Sequence, residues 1–478
     1  MTATLPSIPG LPAESRIKEI FEALGYFNYL TFAPPNIYPM SAPAFQKAEH
    51  APRPAYAEVG GPIGIYAHIP FCNYACSFCF YAKRIGETRE TMARYVDALE
   101  KELAWIPPGT PLTQLFVGGG TPTALPPELL DRTLTAIFRH VVRGPITHTV
   151  ECSPDSLTDA HIDVLLRHQI GRVSMGIQST HDEVLDHIRR KHAGEVALAT
   201  CAKLVSCGLM VNVDLIYGLP GQTEEHFRRD LQLVSASGAH SITAYNLRVN
   251  ERTPVAQKLG EDERLGPHRL IRWRAFVRHT ATELGYRQTR GHTFIRSTGT
   301  DPGSQRAATF RDLTSHGQQF SVGLSSRSRL NGTIYRNHAD LAAYLESIES
   351  SRSPVHEIFP LDASGSRLRY IALTLGEGEP LDRADYHRTF GSSFDEDFSE
   401  PLRLTRDAGL IADHPSPGTP VTAKSPDTAT LSLTSEGKLV YDKVLLAFYP
   451  TEVKQWLRDR EQSAVARGRL QPVPAGQS

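Results

Sequence analysis

A parallel α/β fold is what this sequence predicts, and three observations carry the prediction. From residue 63 onward, short runs rich in β-branched residues alternate with longer stretches. In the longer stretches apolar residues recur at three- and four-residue intervals, the spacing of one helix face. At 478 residues the chain exceeds an average domain, so one large domain with a smaller appendage is expected. The strand-like runs are Ile63–Ile69, Gln114–Gly119, His148–Ser153, Arg172–Gln178, Met210–Gly218 and Ser241–Leu247. Helical patterns run over Thr91–Trp105, Pro126–Val142, Thr158–His168, Glu195–Cys207 and Thr223–Ser237. Right-handed crossovers would curl six such units into an open, partial barrel, though the pattern alone does not separate this from a flat doubly wound sheet.

Composition narrows the partners. Lysine plus arginine number 51 against 52 aspartate plus glutamate, a formal charge of −1, and no long run carries one sign. Nothing in this balance recommends nucleic acid or an anionic membrane. The start of the chain lacks a basic stretch followed by an apolar run, and no uninterrupted apolar segment is long enough to span a bilayer. A soluble, cytoplasmic protein is the expectation.

The chemistry-bearing feature is Cys72, Cys76 and Cys79, within His68-Ile69-Pro70-Phe71-Cys72-Asn73-Tyr74-Ala75-Cys76-Ser77-Phe78-Cys79. A structural zinc site usually closes four ligands with paired short spacings, and no second pair is present. Six cysteines in 478 residues are too sparse for a disulfide scaffold. An iron–sulfur cube normally takes four thiolates, so three with no near fourth leave one iron open to a non-protein ligand. Cys152, Cys201 and Cys207 lie in apolar patterns and read as buried, unreactive thiols.

Strand ends supply the remaining candidates. Gly118-Gly119-Gly120-Thr121-Pro122 closes the second strand, where missing side chains let backbone approach a ligand. Glu151 closes the third strand and Gln178 the fourth, on neighbouring units. A lone acid there is ordinarily a helix cap. Asp214 lies within an apolar strand, where a carboxylate is costly to desolvate unless partnered. Arg190 is one partner on offer; a charged ligand gripped by both is the other.

The cysteine motif resembles the radical S-adenosylmethionine signature, and its lead-in Tyr66-Ala67-His68-Ile69-Pro70-Phe71 resembles the oxygen-independent coproporphyrinogen oxidase-like branch. The resemblance implies a (β/α)6 partial barrel of the radical SAM type, with chemistry at the C-terminal ends of the strands. It implies a [4Fe–4S] cluster on Cys72, Cys76 and Cys79, and two S-adenosylmethionine molecules. Tyr66, Gly119 and Glu151 match contacts of the first; Phe78, Gly120, Thr121, Gln178, Arg190 and Asp214 match those of the second. Tyr245, near the last barrel contact, and Arg327, in Phe320–Ser328, are the catalytic candidates. Glu251 and His292 are further candidates for a base.

Beyond residue 360 the pattern turns helical, with Arg367–Leu375, an aromatic stripe at Tyr386, Phe390, Phe394 and Phe398, and a helix from Ser399. Such a stripe is more often core than a cofactor box. A polar loop over His414–Thr428 precedes the run Ala429–Thr434 and a helix from Ser435. This order suggests a small C-terminal α+β domain, winged-helix-like, whose balanced charge gives no argument for DNA. The expected division is an N-terminal extension at 1–60 contributing to the substrate site, the radical SAM barrel at 61–255, barrel continuation and linker elements at 256–360, the C-terminal domain at 361–450, and a terminal helix and disordered tail at 451–478. Substrate choice is expected in unmatched stretches, including Tyr26–Tyr29 and Pro34–Pro39.

One departure bears on the reaction. Coproporphyrinogen enzymes carry a further Cys two positions past the third ligand, where this chain has Phe80 and then Tyr81. That favours the class C methyltransferase and cyclopropanase members, in which one S-adenosylmethionine yields a 5′-deoxyadenosyl radical and the second donates carbon to an sp2 centre of a natural product. The alternatives are coproporphyrinogen oxidase-like or haem-degrading chemistry, and a haem-carrying chaperone. A flavodoxin or ferredoxin as electron donor and a monomeric state complete the expectation.

Overall fold

The computed structural model describes residues 8–24, 45–54, 56–144, 147–249, 253–259, 265–289, 291–297, 318–415 and 429–466. Six strands run parallel and pair in sequence order: β1 (Ile63–Ile69), β2 (Thr110–Gly119), β3 (Thr149–Cys152), β4 (Arg172–Gln178), β5 (Met210–Tyr217) and β6 (Ser241–Asn246). Their near-continuous burial follows from being covered on both faces, which is why they read as β-branched runs and not as strict alternation. The intervening helices are α1 (Arg89–Leu103), α2 (Pro127–Arg139), α3 (Asp159–Arg167), α4 (Gly194–Ser206) and α5 (Glu224–Ala236), and α6 (Pro267–Glu283) follows β6. Thr88, Thr158 and Thr223 cap α1, α3 and α5 by accepting a backbone N–H three residues on.

The sheet does not stop at these six strands. On the β6 side it continues antiparallel through Thr293–Arg296 and Tyr286–Gln288. On the β1 side, β7 (Gln318–Val322) pairs parallel to β1, and β8 (Arg327–Leu330), β9 (Thr333–Asn337) and β10 (Val355–Pro360) follow antiparallel, with Gln46–Lys47 at the edge. The result is a mixed, partly barrel-like sheet.

A buried ion cluster fastens this extension to the outer helices. Glu102 of α1 pairs with Arg53, and its carboxylate also accepts Tyr344 Oη at 2.7 Å, Asn337 Nδ2 at 2.9 Å and the Gly323 N–H at 2.8 Å. Every oxygen of this fully buried carboxylate is satisfied, the condition under which a buried charge persists.

The C-terminal elements form a separate three-stranded antiparallel sheet, Leu381–Asp382, Ala429–Leu433 and Ile411–Pro415, with helices around it. The stripe is core: Tyr386 meets Phe390 at 4.7 Å and Phe394 at 5.2 Å between centroids, and Phe394 meets Phe398 at 5.4 Å. Two boundaries differ from expectation. Strand pairing carries Ile411–Pro415 past His414, which reads as loop in isolation. The helix expected from Ser435 is a 3-10 turn and two helices, Tyr441–Ala447 and Thr451–Ala466, broken where Pro450 has no N–H to offer. Helix Glu14–Leu24 docks on these elements, with Arg16 donating to Glu436 at 2.9 Å and to the Ala408 carbonyl at 2.6 Å. The stretches 26–29 and 34–39 lie outside the described residues.

Candidate active site

The cysteine loop is shaped from both ends. Phe71–Cys72 pairs with Arg84–Ile85, and the Arg84 N–H donates to the Pro70 carbonyl at 2.7 Å, closing residues 73–83 into a loop. Its middle is anchored by the Ser77 N–H to the Ile188 carbonyl at 3.0 Å and by the Val255 N–H to the Ser77 carbonyl at 3.1 Å. Lys83 Nζ reaches the Cys79 carbonyl at 2.7 Å. Cys72, Cys76 and Cys79 are all half-buried and line one open cleft at the C-terminal ends of β2 to β5.

The glycine run forms the facing wall. Gly119 has φ +120, a conformation L side chains rarely adopt, and its N–H donates to Glu151 at 3.1 Å. A Cβ on Gly120 would stand 2.7 Å from the Phe71 carbonyl oxygen, so only glycine admits the Thr121 N–H to that same carbonyl at 2.8 Å. Thr121 Oγ1 lies 3.7 Å from Cys72 Sγ.

Carboxylates converge behind this wall. Burial, then the nearby Asp214 charge, pushes Glu151 up to about 8, against the pull of the Gly119 N–H and Arg172. Burial likewise raises Asp214 to about 6, opposed by Arg172, Asn212, Ser174 and Thr243. Asn212 Nδ2 donates to Asp214 at 2.8 Å and Ser174 Oγ at 3.3 Å. Of the two alternatives for Asp214, direct pairing with Arg190 is not what the structure has: β4 and β5 satisfy the carboxylate with their own side chains. Arg190 instead donates to Cys76 Sγ at 3.5 Å, to Ser153 Oγ at 3.1 Å and to the Gly176 carbonyl. Its buried Nε has no hydrogen-bond partner.

Gln178 ends β4 just after a register shift, with φ 75, and is buried. A bulge with left-handed backbone at a strand end is a device for aiming a side chain.

The cleft thus brings together eleven of the sixteen candidate residues singled out from sequence: the three cysteines, Phe78, Gly119, Gly120, Thr121, Glu151, Gln178, Arg190 and Asp214. Tyr66 stands behind the wall, its hydroxyl 3.1 Å from His68 Nδ1 and its ring 6.0 Å from Phe116. Tyr245 does not line the cleft: it packs on a satellite apolar cluster with its ring 4.9 Å from that of His292. Arg327 is not brought there either; it is exposed on β8, its guanidinium 5.3 Å from the Phe45 ring. Glu251 lies outside the described residues. Of the other thiols, Cys201 and Cys152 are buried, though Cys152 forms part of the cleft wall; Cys207 is half-buried, against expectation.

Sequence reasoning missed Tyr74 and Asp155. Tyr74 donates to Asp155 at 3.0 Å and lies under the Arg190 guanidinium at 5.6 Å. Against the upward push of burial, His192, Ser153, Tyr74 and Arg190 hold Asp155 well below the usual carboxylate range. The signal was Asp155 itself, two residues beyond a strand end in Ser153-Pro154-Asp155.

The donor set fits an iron–sulfur cluster with S-adenosylmethionine. Three half-buried cysteines of one loop share the cleft with the glycine backbone and with Arg190, whose buried Nε has no hydrogen-bond partner; the fourth cysteine in the lining, Cys152, lies at the end of β3, away from the loop, and burial pushes its thiol up, against a ligand role.

Residues 66–234 match the Radical SAM superfamily model. Across more of the chain, it is 26% identical over 394 residues to the heme chaperone HemW of Bacillus subtilis, covering 80% of this chain and 98% of that protein. It is 26% identical over 416 residues to the oxygen-independent coproporphyrinogen III oxidase of Escherichia coli, covering 84% and 89% respectively. The solved structure of coproporphyrinogen III oxidase from Escherichia coli superposes with a TM-score of 0.71 at 23% identity, covering 88% of this chain and 96% of that one. These relatives overturn the methyltransferase and cyclopropanase reading. That reading rested on one position, and a likeness spread over four-fifths of the chain outweighs it. Phe80 and Tyr81, at that position, form a stacked pair 4.8 Å apart on the loop surface. No helix among the described residues is long and apolar enough to cross a membrane.

Proposed function

We propose that the chain is a radical S-adenosylmethionine enzyme of the coproporphyrinogen III oxidase and HemW type, acting on a tetrapyrrole. The observation that carries this is the cleft itself: three half-buried cysteines facing a glycine wall backed by two half-buried carboxylates, both held above the usual carboxylate range. In this reading Cys72, Cys76 and Cys79 hold a [4Fe–4S] cluster in a (β/α)6 partial barrel. Tyr66, Gly119 and Glu151 seat one S-adenosylmethionine; Phe78, Gly120, Thr121, Gln178, Arg190 and Asp214 seat a second. When bound and reduced by a flavodoxin- or ferredoxin-type donor, the cluster and its sulfonium ligand supply a 5′-deoxyadenosyl radical. The protein's part is positional. Glu151 and the Gly119 backbone orient the ligand amino group, and Arg190 holds positive charge against Cys76. Residues 361–450 serve as a winged-helix-like cover, and residues 1–60 help to form the substrate site.

A haem-carrying role is the second reading, favoured by the match spanning 98% of the HemW chaperone and by the Phe80–Tyr81 pair where an oxidase has a further thiol. Anaerobic reconstitution followed by reduction with S-adenosylmethionine tests both. Release of 5′-deoxyadenosine without S-adenosylhomocysteine, coupled to decarboxylation of coproporphyrinogen III, supports the enzyme. Stoichiometric haem binding with no coupled turnover supports the carrier. A colourless, zinc-loaded protein overturns both, and Cys76→Ala retaining full iron content overturns the ligand assignment.

A further inference from the structure

At the flank of the sheet, with two strands between β9 and β1, two imidazoles and a carboxylate converge. His338 follows β9, His356 lies in β10, and Glu49 follows the edge strand Gln46–Lys47. The Glu49 carboxylate splits between them, one oxygen 2.6 Å from His356 Nδ1 and the other 3.4 Å from His338 Nε2. All three ligand atoms lie within 4.8 Å of one another, and the two rings stand 4.8 Å apart between centroids. Both imidazole nitrogens are shut off from water, yet neither makes a directed hydrogen bond.

Backbone contacts fix all three. The Ala48 N–H donates to the His356 carbonyl at 3.0 Å, the His50 N–H to the Val355 carbonyl at 2.7 Å, and the His338 N–H to the Pro354 carbonyl at 2.9 Å. Glu49 is thus held between two cross-strand bonds, opposite the strand that carries one imidazole. The His50 ring, 6.1 Å from that of His338, is occupied by the Ser353 carbonyl at 2.9 Å. A plain ion pair accounts poorly for this arrangement. Half-exposed carboxylate pairs contribute little, and an ion pair does not need two imidazole nitrogens left without bonds.

We propose that Glu49, His338 and His356 form a binding site for a divalent transition-metal ion of the zinc class. Two imidazoles and one carboxylate are a three-ligand set for such an ion, with a fourth position left to water. Ligand bonds of about 2.0–2.2 Å require only small side-chain shifts from the separations present. The ion would staple the edge strand to β9 and β10. This proposal stands apart from the cysteine cleft, which shares none of these residues.

The test uses the full chain with its iron–sulfur cluster loaded, dialysed against zinc and examined at the zinc absorption edge. One retained equivalent with nitrogen and oxygen ligands only is expected, and Glu49→Gln and His338→Gln should each weaken retention at least tenfold while leaving the iron content unchanged. Sulfur in the zinc shell, no retained zinc, or variants that bind as tightly as the parent would overturn the site. The edge spectrum of the unaltered protein decides the matter even if a variant fails to fold.

Discussion

The Arg190 guanidinium donates to the sulfur of Cys76 across 3.5 Å, and does so from a segment that follows the fourth parallel strand. Burial works against the charge, but Cys76 and Tyr74 more than compensate and hold Arg190 above its ordinary value. The cation beside this sulfur is therefore permanent. Arg190→Met is expected to leave iron content intact, move the cluster potential negative, and cut 5′-deoxyadenosine formation at least tenfold. Arg190→Lys should restore most of the potential but less of the turnover, because an ammonium cannot reproduce the planar fork that also reaches Ser153 and Gly176. A spectroscopically monitored redox titration checks both variants.

Gly120 tests the glycine wall. An alanine Cβ there would press on backbone, 2.7 Å from the Phe71 oxygen and 2.8 Å from that of Pro70, and backbone cannot swing aside as a side chain can. Gly120→Ala should destabilise by about 1–3 kcal/mol and lower cluster occupancy. Gly266→Ala, at a site with nothing within 4 Å, is the control expected to change occupancy little. Thermal melts with iron quantitation separate the two.

The Glu102 cluster gives a stability prediction. Glu102→Ala leaves the buried Arg53 guanidinium without its counter-charge and Asn337 without one of its acceptors, so a loss of about 3–5 kcal/mol is expected. Urea denaturation read by tryptophan fluorescence measures it; a loss under about 1 kcal/mol would refute the role given to this cluster.

His68 sets part of the acid limb. Burial holds its imidazole at about 4, with the Ala82 carbonyl opposing only in part. The unfolded chain takes up a proton below about pH 6.5, whereas the folded chain does so only near 4. Stability from this group is thus complete above pH 6.5 and falls as the pH drops to 4, by about 3 kcal/mol. His68→Gln should gain that amount relative to the parent across the same window. Parallel denaturation curves at pH 7 and pH 4 are the check.

Much of the fold was legible because its period is written locally. β1 and β4 were placed to the residue, since a strand buried on both faces reads as an apolar run bounded by turn residues. Val141–Arg143 was absorbed into the preceding helix pattern, because its pairing with β2 is a long-range fact that no local window contains. The cleft was legible through cysteine spacing and strand-end chemistry. That Tyr245 and Arg327 stand outside the cleft lining was not legible, because a residue near the last strands is positioned by packing against Phe45 or His292, which lie far away in sequence. The choice of reaction was drawn from Phe80 and Tyr81 alone, and one substitution says less about chemistry than the remaining chain.

The parallel pairing of β7 with β1 joins residues 318–322 to residues 63–67. During synthesis the flank of the first strand must wait, its amide and carbonyl row unpaired, until most of the polypeptide has left the ribosome. Such an open edge is a template for intermolecular association. Nascent chains arrested before residue 318 should accordingly aggregate or recruit chaperones, whereas release of the completed β7 removes the hazard in a single step.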